Sequence, residues 1–394
     1  MSLTLTDIPA GFFDDPYPAY AALRAAGVTP QPDGSVIVAR YADLDRIYRD
    51  TATFISDKKT VFGPKYGEGT PLYRHHTTSL VFNDPPLHTR VRKIMVGAMT
   101  PRALASMEPG LITLVDSLLD ALEDTPETDL MHSFAGAIPI EVIGNLFDIP
   151  RAERSPLQAW SLAILGALEP QLTPQQETTG HQAVTDFIDH LTTLVADRAK
   201  HPGDPDTDVL TRLMQSEEGQ LTPEELYQNC IFILNAGHET TTNLIGSSLW
   251  LLDQDRAARA ALLDAPDLIH TAVDEFLRLE SPNQFGNRLT TQDVEIHGQV
   301  VPAGTDIHLC IGAANRDGQM FAAPDQVQLD RRPNKHLAFA GGAHTCVGLS
   351  LARMEGRVAI GKFLRRFPEY TITDAVRAHR VRFRGFSKLT TRLA

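Results

Sequence analysis

From residue 86 to residue 278 apolar side chains recur every three or four positions, with interruptions at 150–156, 170–174 and 201–208. That spacing predicts a succession of long helices. Beyond Pro282 the pattern changes to short β-type runs at 293–296, 306–311, 381–383 and 388–393, divided by Gly, Pro and Asn turns. The N-terminal part is mixed: Asp14, Pro16 and Pro18 open a short helix, and residues 35–39 form a strand behind the turn Pro32-Asp33-Gly34. Between Ala52 and Pro85 periodicity is weak, and Gly63, Pro64, Gly67, Gly69 and Pro71 punctuate the chain. An irregular lid or binding loop is the expectation there.

These patterns describe one mainly α domain over residues 1–394 with a small β-rich portion built from both ends of the chain. The helix-rich part spans about 86–281, and the β-rich parts about 30–60, 282–335 and 369–394. No internal repeat or Gly/Ser linker divides it.

Hydrophobic residues at 42% and charged residues at 22% exclude a disordered or collagenous chain. Lys and Arg total 36 against 49 Asp and Glu, a net −13 that argues against nucleic acid as a general partner. The charge is unevenly placed. From Arg353 onward eleven basic and three acidic residues give +8, which leaves −21 on the rest. Such a segment is either a docking face for an acidic partner or a solvated surface. Cys230, Cys310 and Cys346 are an odd, scattered set, so a disulfide framework is not expected and a reducing compartment is. The first residues lack a basic and an apolar signal region, and the most apolar stretch, 226–252, carries His238 and Glu239 at its middle. A cytoplasmic monomer is expected.

The candidate chemistry centres on residues 339–348, Phe339-Ala340-Gly341-Gly342-Ala343-His344-Thr345-Cys346-Val347-Gly348, directly before a helical run that starts at Leu349. A helix start offers unpaired N–H groups and the positive end of the macrodipole, which favour a thiolate at Cys346. Flanking glycines let the backbone approach a flat object. A thiolate so placed suits a nucleophile, a redox centre or an axial ligand to iron. Cys230 and Cys310 lack such surroundings and are read as core.

Two distant features carry further candidate chemistry. Ala236-Gly237-His238-Glu239-Thr240-Thr241 sets an acid and an alcohol within a long apolar helix that opens on the capping pair Thr222 and Glu225 with Pro223. Glu275 and Arg278 are spaced to share a helix face.

Together these segments closely resemble the cytochrome P450 family, and the likeness extends from about Phe13 to Leu393. The resemblance implies a cytochrome P450 fold and haem b, with Cys346 as the axial ligand to iron and Phe339, Gly348 and Ala236 beside the cofactor. His88, Arg92, Arg288 and His344 match the family's cations for the haem propionates. Glu239 and Thr240 match its oxygen-activating acid and alcohol. Glu275, Arg278 and Arg331 match a bracing trio of structural rather than catalytic role. Substrate contacts carried over fall on Phe232, Asn235, Asn283, Gln284, Phe285, and Phe383 or Phe386. The three amides suggest a ligand with polar groups as well as apolar bulk, since an unpaired buried amide costs roughly 1–3 kcal/mol. Arg74, His75 and His76 are expected to form an exposed basic cluster, not a metal site.

Two departures stand out. Ala340 occupies a position where the family usually has glycine, and Glu239 one where many members have aspartate. The implied activity is insertion of one oxygen atom from dioxygen into an organic substrate, with electrons from a separate ferredoxin and ferredoxin reductase. Arg90, Lys93, Arg353 and Arg357 are the candidate ferredoxin-facing cations. A haem sensor or carrier without turnover would not need the Glu239–Thr240 pair, and a haem-free thiol enzyme would need a third orienting group beside Cys346 and His344.

Overall fold

Helix starts follow the local chemistry. In the computed structural model, which describes residues 3–215 and 221–393, Glu225 N–H donates to Thr222 Oγ1 at 3.2 Å and Thr222 N–H to Glu225 Oε2 at 2.8 Å. The longest helix then runs over Pro223–Gln254. A second capping box, Thr173 with Gln176, starts the helix Pro174–Lys200. The chain gathers into two units: residues 1–54, 108–138 and 240–394 form one, residues 55–107 and 139–239 the other. The long helix contributes to both.

The first unit holds the sheets. Its largest runs in the order Val28–Pro30, Val36–Val38, Asp306–Cys310, Phe285–Thr290, Phe54–Ile55. Val36 pairs with Ile307 in parallel, and Phe285 with Cys310 antiparallel. Thr371–Arg377 and Phe386–Arg392 pair antiparallel, and Glu127–Asp129 joins the second of them. The expected strands at 293–296 and 306–311 form as Val294–Ile296 and Asp306–Cys310. The run at 381–383 does not: Phe383 makes only an isolated bridge to Asn283. Phe285–Thr290, masked in the sequence by Gly286 and Asn287, becomes a strand because Asp306–Cys310 supplies its hydrogen-bond partners.

Charge in the C-terminal segment is largely matched within this unit. Arg353 pairs with Asp274 at 2.8 Å, Lys362 with Asp116 at 2.7 Å and Arg366 with Asp120 at 2.9 Å. Arg377 and Arg384 reach buried Glu280 at 3.1 and 2.9 Å, and Tyr17 Oη donates to the same carboxylate at 2.6 Å. Burial pushes the Glu280 carboxyl up, but Arg384, Arg377 and Arg316 outweigh it and hold the group at about 2. The basic surplus therefore serves in good part to fasten helices and termini.

The second unit corrects the reading of residues 52–85. Instead of an irregular loop it forms the helices Lys59–Tyr66 and Pro71–Thr78, then a short turn of 3₁₀ helix at Leu80–Phe82. The punctuating residues are helix ends: Gly67 adopts φ +79° after the first helix, and Thr70 caps the second with Pro71 at its first position. His75 and His76 are buried, not exposed, with ring centroids 5.0 Å apart. His76 lies among Phe62, Tyr66 and Phe82 at 5.4, 5.4 and 5.7 Å. No helix among the described residues is long and apolar enough to cross a membrane.

Candidate active site

The cysteine loop is built on the first unit. Residues Gly342–His344 make one turn of 3₁₀ helix, and Leu349–Arg366 follows with Gly348 at its cap. Cys346 N–H donates to the Phe339 carbonyl at 2.9 Å, which closes the loop on itself. Of the three cysteines, Cys230 and Cys310 are buried, with thiols pushed far up by burial, and Cys346 is exposed. Ala340 takes φ +56°, a left-handed conformation that suits the family's glycine. His344 and Phe339 are partly buried. A side chain at Gly348 would meet no atom within 4 Å, so the backbone there presents a bare face.

Glu275, Arg278 and Arg331 come together in the first unit. Arg278 donates to both oxygens of Glu275 at 2.8 Å, and Arg331 Nε donates to the same carboxylate at 2.9 Å. Arg278 also reaches the carbonyls of Asn315 and Pro324, and Arg331 that of Ala322, so the trio ties the helix Ile269–Leu279 to the segment preceding the loop.

On the long helix Asn235, His238 and Glu239 are buried, whereas Phe232, Ala236 and Thr240 keep partial exposure. Spacing of four places those three residues along one stripe, so the alcohol and the small residue share a face. Gly237 has a packing reason of its own: a Cβ there would lie 2.6 Å from Ile143 Cδ1. Asn235 leaves both side-chain polar atoms without a partner among the described residues although it is 1% exposed.

The four cations occupy different settings. His88 is buried and Arg92 partly so, both on Leu87–Ala98 of the second unit. Arg288 is buried in the strand Phe285–Thr290, with its guanidinium 5.1 Å from the Tyr48 ring centroid. Within the first unit, an exposed thiol just before a helix start, a bare glycine face beside it and the buried guanidinium of Arg288 are the chemistry that a haem with carboxylates requires. The donor set fits that cofactor.

Several carried-over substrate contacts have internal duties. Gln284 accepts from Tyr20 Oη at 2.8 Å and donates to the Ser281 carbonyl, so its amide is committed within the fold. Phe285 packs in a core with Phe12, Tyr20 and Ile37. Phe386 stacks between Trp250 and the Arg377 guanidinium. Asn283 is partly exposed, and Phe383 is buried beneath the Arg380 guanidinium. Asp274 and His336 belong to no motif in the sequence, yet both approach Arg353 or Phe339 beside the cysteine loop. Their only sequence signal is position, one residue before Glu275 and three before Phe339.

A family model described as Cytochrome P450 matches residues 27–264 and 251–376. The biotin biosynthesis cytochrome P450 of Bacillus subtilis (strain 168) is 32% identical over 99% of this chain and 98% of its own length. The vitamin D(3) 25-hydroxylase of Pseudonocardia autotrophica is 34% identical over 94% and 93%. A crystal structure of a cytochrome P450 in complex with a hexadec-9Z-enoic acid ligated acyl carrier protein superposes with a TM-score of 0.92 at 30% identity, covering 98% of this chain and 100% of that one. Agreement over nearly the whole length, in sequence and in fold, settles what the loop and the helices suggested: the chain belongs to the cytochrome P450 family and is a haem-thiolate monooxygenase.

Proposed function

We propose that the whole chain acts as one cytochrome P450 domain in the cytoplasm, as a monomer reduced by a separate ferredoxin and its reductase. Cys346 would hold the haem iron through its thiolate, and the observation that carries this is its exposure just before Leu349–Arg366 on a loop whose backbone it closes. His88, Arg92, Arg288 and His344 would supply the cations for its propionates. When bound, haem supplies the redox centre at which dioxygen is activated.

The chain's own residues supply the rest. The helix start that follows Cys346 favours its thiolate form. Phe339 and Gly348 would flank the cofactor from the cysteine's loop, and Ala236 would keep the long helix thin where substrate and dioxygen must fit. Glu239 holds a proton within the buried side of that helix, and Thr240 passes it on from the exposed stripe. Asn235 orients the substrate: its amide has no partner among the described residues and would gain one from a polar group on a mostly apolar molecule. Phe232 and Phe383 give the apolar contacts. A lipid-like substrate fits this division, and it is supported by relatives that act in biotin biosynthesis, on vitamin D(3), and in complex with a fatty-acyl carrier protein.

The test is spectroscopic. The haem-loaded protein should give the red-shifted ferrous carbonyl band of thiolate ligation, and Cys346→Ala should lose it. A band that survives the substitution overturns the ligand assignment. Long-chain fatty acids and sterols should shift the haem spin state of the parent, and Asn235→Ala should weaken that shift about tenfold for the ligand that binds.

A further inference from the structure

Beside the Glu275 brace lies a second carboxylate with a different reach. Asp274 Oδ1 accepts from His336 Nε2 at 3.1 Å and from Arg353 Nε at 2.8 Å. Ala338 N–H donates to His336 Nδ1 at 3.3 Å, which assigns the ring hydrogen to Nε2, facing Asp274. Both donors touch Phe339: the Arg353 guanidinium lies 5.1 Å from its ring centroid, and the His336 ring centroid lies 5.6 Å from it. The Phe339 carbonyl in turn accepts from Cys346 N–H at 2.9 Å. A continuous set of contacts thus leads from one carboxylate, through two side chains and a clamped ring, to the cysteine.

We propose that Asp274 is a positioning residue for Cys346, and that its pair with Arg353 sets the reduction potential of the bound haem. The inference rests on Cys346 as the iron ligand. Asp274 and Arg353 keep 23% and 37% of their side-chain surface in solvent, so the pair is partly withdrawn from water and incompletely screened. Burial pushes the Asp274 carboxyl up, but His336 and Arg353 outweigh it and hold the group below the usual carboxylate range. The pair is therefore an anion held against a cation.

Reduction of the haem adds one negative charge. An unbalanced cation near the loop favours it, and an unbalanced anion opposes it. Asp274→Asn keeps the shape and removes the anion, so the potential should rise. Arg353→Gln removes the cation and should lower it. Asp274→Glu retains the charge and should stay near the parent. A clamp that only stiffened the loop would move Asp274→Asn and Arg353→Gln in the same direction, because both loosen Phe339.

The experiment is a redox titration of the haem-loaded full chain and the three variants, each also recorded as the ferrous carbonyl complex. Opposite shifts for Asp274→Asn and Arg353→Gln, with Asp274→Glu close to the parent, are expected. A parent without the thiolate carbonyl band would refute the ligand assignment itself. A parent that shows the band, with variants that shift together or not at all, overturns the role given to Asp274 and leaves the ligand standing.

Discussion

Arg278 grips Glu275 through two parallel hydrogen bonds of 2.8 Å, and neither side chain has any exposed surface. Two charges are taken out of water here, and their fork-to-carboxylate geometry, the added Arg331 contact at 2.9 Å, donors from Gln328 N–H and Asn334 at 3.0 and 3.1 Å, and the carbonyls that Arg278 reaches offset that cost. Burial pushes the Glu275 carboxyl up, but Arg278 and Arg331 hold it below its usual range.

Breaking such a pair from one side leaves a buried cation uncompensated. Glu275→Gln should destabilise the protein by about 3–5 kcal/mol. Urea unfolding of the haem-loaded variant measures it, and a loss below about 1 kcal/mol would show that water or neighbouring carbonyls already satisfy Arg278.

What the sequence reveals and what it hides have physical causes. The cysteine loop, the acid–alcohol pair and the Glu275–Arg278 spacing are local patterns, so the order of residues alone is enough to place their elements. The helices at 59–66 and 71–78 escape such a reading because eight residues are too few to display a period, and their caps resemble loop punctuation. Burial of His75 and His76 depends on partners far along the chain, such as Gln228, whose Oε1 lies 3.0 Å from His75 Nδ1. Gln284 looks available for a ligand in the sequence because its partner Tyr20 lies 264 residues away.

Ala340 holds a backbone conformation that its methyl group resists. With φ +56° the residue sits in the left-handed region, which costs an L-residue with a Cβ about 1–2 kcal/mol. Ala340→Gly should relieve part of this and stabilise the protein by about 1 kcal/mol, less the added freedom of glycine in the unfolded chain. Thermal melts of the haem-loaded pair decide it. Equal or lower stability in the glycine variant would mean that the loop's contacts tolerate the methyl without strain.

Thr240 stands on the partly exposed stripe of the long helix, one residue after buried Glu239. If its hydroxyl delivers protons, Thr240→Ala should keep consuming electrons while product per electron falls about tenfold and hydrogen peroxide rises. Unchanged coupling would remove Thr240 from the proton route. Loss of haem from the variant would instead assign it a structural duty.

The buried histidines predict acid lability. Burial lowers His75 to about 4, against a weaker opposing bond to Gln228, and lowers His76 well below its ordinary value, helped by His75 and Lys65. An unfolded chain takes up protons near 6.5, the folded one does not, so this stability is present above pH 6.5 and is lost as pH falls toward 4. His76 Nε2 has no partner among the described residues, and its ring lies among Phe62, Tyr66 and Phe82. His76→Phe should therefore flatten the fall in melting temperature between about pH 6.5 and 4.5. A variant that loses stability at neutral pH as well would indicate a polar role for the ring that its contacts do not reveal.

Glu355 predicts the opposite slope. It lies buried on the helix that follows Cys346, and burial raises its carboxyl from 4.5 to about 8, with only a bond to Thr241 working against the shift. The folded protein holds this proton where the unfolded chain has released it. Its contribution is fully present below pH 4.5, declines as pH rises, and is gone above about 8. Over that window it amounts to roughly 5 kcal/mol at most. Glu355→Gln keeps the shape and stays neutral at every pH, so the variant should gain on the parent as pH rises from about 5 to 8.5, opposite in sign to the changes from Glu280 and the histidines. Urea midpoints for both proteins across that range measure the difference directly. A parent and variant that run parallel would show that Glu355 is ionised throughout, with a counter-charge or water that compensates it.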